Sequence, residues 1–84
     1  MKFYGIKTST DTFVVDAILD SSGKEIKGNL VFKKKSKALV ECDELNEIRQ
    51  RMKISKCYSV KEITNDDICG DGVIIEGVWR KSLP

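Results

Sequence analysis

Few residues in this chain could do chemistry, and their types narrow the field before any fold is considered. The 84 residues include no histidine. That removes Ser-His and Cys-His nucleophile pairs and every imidazole metal site. Cysteines stand at positions 42, 57 and 69. Three thiols at irregular spacing make neither a four-ligand zinc set nor a disulfide framework. A nucleophile among them needs an activator such as a helix N-terminus. Cys42 lies just ahead of the expected helix start, but its place in an apolar alternation assigns it to the core. No P-loop and no dinucleotide-binding glycine fingerprint occurs. The expectation is a protein that is not an enzyme and carries no cofactor.

The charged residues are the remaining candidates. Asp66, Asp67 and Asp71 fall in a glycine-containing loop, TNDDICGDG, and three carboxylates could gather round a hard cation. Their spacing does not match a calcium-binding helix–loop–helix, so a solvated turn without metal is expected. Lys33, Lys34, Lys35 and Lys37 form the densest charge run and could track phosphates. Arg49, Arg51, Lys53 and Lys56 extend that patch if the helix end lies near it. Two features weigh against nucleic acid. The net charge is only +2, and no aromatic residue alternates with the lysines except Phe32, which the pattern points inward. The net figure hides a segregation. Residues 24–61 carry eleven basic and five acidic side chains, and residues 62–84 carry two and five.

These groups need elements to position them. Alternating apolar residues predict strands over residues 2–7, 12–20, 25–33, 38–42, 57–63 and 73–80. Turn chemistry separates the first three: Thr8 to Asp11, then Ser21-Ser22-Gly23 between two runs that read as a hairpin. Gly28 inside the second run marks a bulge or a close approach. Residues 33–37 read as an exposed connection. One amphipathic helix is expected, about Asp43 to Lys53, with Asp43 as N-cap and Glu47 four residues before Arg51. Leu45, Ile48 and Met52 would be its buried stripe. A helix of about ten residues does not survive alone in water, so that stripe must lie on a sheet. The reading is an α+β domain spanning 1–84: a small antiparallel sheet of five to six strands, possibly curled, with the helix on one face. Its expected core is Phe13, Val15, Leu19, Leu30, Phe32, Val40, Leu45, Ile48, Met52, Val60, Ile75 and Trp79. Residues 81–84 read as a frayed tail.

The chain lacks an apolar run long enough to span a bilayer and an apolar signal-peptide core at its start, so a cytoplasmic protein with free thiols is expected. Apolar residues on the second sheet face (Phe3, Val14, Ile18, Val31, Ile74, Val78) outnumber what one helix can cover. They would serve a protein interface or a homodimer, unless the sheet curls and buries them. A compact, lysine-rich single domain without catalytic residues resembles, in general type only, the accessory proteins of bacteriophages and mobile elements that bind and inhibit host factors. No motif carries that resemblance and no residue is carried over from it. Two functions follow as expectations. The first is a protein-binding module, an inhibitor or regulator of a larger partner. The alternative is a nucleic-acid binder using Lys33 to Lys37 and the helix C-terminal end.

Overall fold

The computed structural model describes residues 1–54 and 58–84. Its order is β1 (Phe3–Lys7), β2 (Val15–Leu19), β3 (Glu25–Val31), α1 (Lys35–Arg51), β4 (Ser59–Ile63), a 3-10 turn (Asn65–Asp67), β5 (Val73–Ile75) and β6 (Val78–Arg80). The fold is α+β with six strands and one helix, the class the alternation implied, but the expected single strand 73–80 is a hairpin of two strands that turns at Glu76 and Gly77. The strands form two sheets, a β1–β4 pair and a four-stranded sheet in the order β2-β3-β5-β6. One pairing departs from the antiparallel expectation. β3 and β5 run parallel, because the chain crosses over through α1 and β4 between them.

The first apolar alternation builds the centre. Phe3 lies opposite Ile63 across the β1–β4 pair. Both belong to a buried cluster with Phe13, Val31, Val73, Ile75 and Leu83, and Ile68 packs against it. This cluster lies between the two sheets. Ile6 and Val60, also opposite each other, take the other face of the pair, which is the face left for α1, packed on β1 and β4. The second edge of β1 joins the four-stranded sheet. Tyr4 and Phe32 exchange backbone bonds of 2.9 and 2.8 Å, and Val14 donates to the Ile6 carbonyl at 2.8 Å. The sheet thus bends over itself without closing, and Phe3, Val31 and Ile74 are buried. The expected surplus on the second face shrinks to Val14 and Ile18, half-buried, and Val78, exposed.

The helix is longer than expected and starts eight residues earlier. Residues 38–42 are helical, not a strand, and the lysine run is the helix start, not a connection. Ala38, Cys42 and Asn46 recur every four residues and are buried on the sheet. That periodicity wins over the alternation of Ala38, Val40 and Cys42, since nothing between residues 35 and 51 breaks a helix. Asp43 therefore sits inside the helix and caps nothing. The new phase also rotates the stripe: Leu45 is half-buried, while Ile48 and Met52 are 53% and 66% exposed.

The core list changes accordingly. Phe13 and Ile75 are buried, and Leu30, Phe32, Val60 and Trp79 are half-buried. Val15, Leu19 and Val40 are exposed, because β2 is an edge strand with no layer over it and Val40 lies on the outer helix side. The tail is not frayed. Leu83 is buried in the cluster, and its N–H donates to the Asn65 side-chain oxygen at 2.8 Å. The expected strand start at Cys57 falls outside the described residues, as do Ser55 and Lys56. Among the described residues no helix is long and apolar enough to cross a membrane.

Candidate functional site

The lysine run becomes a pole. Lys34 is the N-cap of α1, with no side-chain cap, and the first turn holds no acid. Lys33, Lys35 and Lys37 surround it, all exposed. The first intrahelical bond runs from the Ala38 N–H to the Lys34 carbonyl, at 3.2 Å. The preceding N–H groups are left to solvent or to an acceptor. Helix dipole and lysines add in sign there, which suits an anion and works against helix stability. Lys37 Nζ stands 4.0 Å from the Glu76 carboxylate in the β5–β6 turn, with both side chains half in water.

The other basic candidates sit at the far end. Seventeen residues of helix separate the two groups by about 24 Å at 1.5 Å per residue. The guanidinium of Arg49 lies over the Tyr58 ring, 5.0 Å from its centre. Arg51 donates to Glu47 at 2.8 Å, the pair expected from their spacing. Lys53 has φ +59°, and its N–H and that of Ile54 donate to the carbonyls of Gln50 and Arg49. That is a Schellman closure with lysine where glycine is favoured. Lys56 lies outside the described residues. The structure does not bring these residues together with Lys33 to Lys37.

The three aspartates also part. Asp67 accepts from the Thr64 N–H at 2.9 Å and its hydroxyl at 3.0 Å, a capping box for the 3-10 turn. Asp66 and Asp71 are exposed. Among the described residues no three acidic or thiol groups gather as a metal site. Cys42 and Cys69 are free thiols. Burial pushes the Cys42 thiol above its usual range, the neighbouring Asp43 carboxylate adds to that, and a hydrogen bond from Asn46 offsets a part. This keeps the group protonated and a poor nucleophile.

Two buried asparagines hold the frame that presents these surfaces. Asn29, fully buried in β3, accepts from the Cys69 and Gly70 N–H groups at 3.0 and 3.2 Å and so pins the 64–72 loop. Asn46 donates to the Tyr58 carbonyl and accepts from the Tyr58 N–H, both at 3.1 Å, and so ties α1 to the start of β4. Neither stands out in the sequence. A polar residue on an apolar face reads as an interruption until its partner is known.

Large apolar side chains are also exposed. Along the C-terminal half of α1, Ile48 and Met52 are exposed, and Ile54 follows at 41%. On β2, Val15 is 42% and Leu19 70% exposed. An open hollow of about 320 Å³ is lined by Val15, Asp16, Ala17 and Lys27. The chain matches no protein-family model, no curated protein and no solved structure.

Proposed function

We propose that this chain is a non-enzymatic protein-binding module, an inhibitor or regulator of a larger partner. The contact surface is the exposed flank of α1 at its C-terminal half. One observation carries the reading: Ile48 and Met52, spaced as a buried stripe, lie uncovered. Apolar side chains at such spacing are the pattern by which a helix docks into a groove. The Glu47–Arg51 ion pair beside this stripe, with Glu44 and Lys53 exposed nearby, supplies a charged rim, which orients a partner more than it holds one. Ile48→Asp and Met52→Asp change residues outside the core, so the fold survives. Affinity capture from a lysate should return one dominant protein with the wild type. Each variant should weaken its binding by at least about tenfold, the scale of a contact at the centre of an interface. Capture indifferent to both changes would remove the proposal.

A second reading rests on the uncapped, lysine-ringed start of α1. There the chain binds nucleic acid through phosphate contacts alone. Binding to random duplex or single strands should then fall steeply as salt rises. Lys34→Glu with Lys35→Glu should abolish it. No binding at low salt disposes of this reading.

A further inference from the structure

The free edge of β2 has a chemistry of its own. Residues 12–14 pair with β1, through the Thr8 N–H to the Thr12 carbonyl and the Val14 N–H to the Ile6 carbonyl, both 2.8 Å. From Val15 onward the strand pairs with β3 alone. The phase of that pairing is fixed. The Leu30 N–H donates to the Val14 carbonyl at 3.1 Å, and the Asn29 N–H goes to Gly72 on the other side of β3. Asp16 with Gly28 and Ile18 with Ile26 are therefore the hydrogen-bonded pairs. The N–H and C=O groups of Val15, Ala17 and Leu19 point outward. The Asp16 carboxylate accepts from the Ala17 N–H at 2.8 Å, as an outward donor allows. The same three residues carry the exposed side chains of one strand face. Only an extended backbone satisfies donors and acceptors spaced in this way.

We propose that β2 pairs antiparallel with β2 of a second copy of this chain, about a two-fold axis at Ala17, with Asp16 as the gate. In this register Val15 lies opposite Leu19 of the other copy, Asp16 opposite Ile18, and Ala17 opposite Ala17. Every outward backbone group finds a mate, and the exposed Val15 and Leu19 side chains cover each other in two places. The single charge of the strand meets an apolar residue, with no like charge opposite it. The other edges fail this test. On β4 an axis at Lys61 opposes two lysines, and an axis at Glu62 opposes two carboxylates. An axis at Val60 needs the Tyr58 backbone, which Asn46 already holds. β6 is three residues long. Pairing displaces the Asp16 carboxylate from the Ala17 N–H, so Asp16 sets the affinity. The inference is independent of the α1 flank, and Ile48→Asp leaves the dimer intact.

Sedimentation of the full chain over about 10 µM to 1 mM, the range for a small edge contact, tests it. The wild type should show a concentration-dependent dimer. Asp16→Ala should tighten it about 25-fold, since the two-fold axis displaces this hydrogen bond in both copies and each is worth about fivefold. Ala17→Pro removes the N–H at the axis from a strand edge that tolerates proline, and should leave a folded monomer. Leu19→Lys, fully outside the core, should do the same. Register is read by cross-linking with Cys57 and Cys69 replaced by serine. Ala17→Cys should form an intermolecular disulfide, since opposed residues of a hydrogen-bonded pair stand about 5.5 Å apart at Cα. Leu19→Cys, which faces Val15, should not. A wild type monomeric at about 1 mM overturns the proposal, even if another protein binds this edge. So does a dimer that survives Ala17→Pro, or one that cross-links at 19 as readily as at 17.

Discussion

A single side chain decides how α1 meets β4. Asn46 replaces a strand partner for the Tyr58 backbone, giving and taking one hydrogen bond. Asn46→Ala should therefore cost about 2 kcal/mol by denaturant titration, since partly buried backbone groups lose both partners. Asn46→Asp should not restore it, because an ionised carboxylate cannot donate to the Tyr58 carbonyl. Asp20 plays a comparable part at the β2–β3 turn, in water. Its carboxylate accepts from the Ser22 hydroxyl at 2.7 Å and from the Ser22 and Lys24 N–H groups, both at 2.9 Å. Those bonds, the Ser22 hydroxyl first, hold its pKa below the usual value. A depressed carboxyl stabilises the fold above its unfolded pKa of about 3.9, and the effect is lost as pH falls through the folded value. Urea midpoints of wild type and Asp20→Ala should differ fully at about pH 6 and draw together as pH falls through the depressed folded value.

At the scale of the element, α1 begins against local preference. A lysine N-cap with more lysines and no acid in the first turn opposes the helix dipole. The start is fixed from outside, by burial of Ala38 and Cys42 on the sheet. Lys34→Ser supplies the missing cap, and thermal melting should show about 1 kcal/mol of added stability. If the second functional reading holds, the same change removes one of the lysines it depends on. The sequence showed that one helix exists, and its Glu47–Arg51 pair. It did not show the start, since Ala38, Val40 and Cys42 fit a strand, and Ala38 with Cys42 fits a helix equally well. Which spacing counts depends on the layer beneath.

At the scale of the molecule, the four-stranded sheet requires close backbone contact where β3, β5 and β6 meet. A Cβ on Gly72 would collide with the Arg80 carbonyl oxygen and the Trp79 ring, and one on Gly28 would lie 3.1 Å from the Gly72 backbone. Trp79 closes the junction, donating its indole N–H to the Lys27 carbonyl at 3.1 Å. Gly72→Ala should cost about 3 kcal/mol in chemical denaturation, the upper range for overpacking, as the obstacle is backbone. Gly28 was legible as a bulge or a close approach, and the structure shows the close approach. Its partner, Gly72, read only as part of a loop, because the parallel β3–β5 contact joins segments more than forty residues apart.

Alternation along each segment determined the class of this protein, the segments that hold its strands apart from 38–42, and the β2–β3 hairpin, because side-chain period is a local property of the chain. Residue types alone excluded histidine chemistry. Tertiary structure decided which apolar residues count as core. The sheet bends, so Phe3 and Val31 face each other's layer while Val15, Leu19, Ile48 and Met52 face water. Burial belongs to the layer that arrives from elsewhere in the chain, and one segment read by itself has no account of that layer.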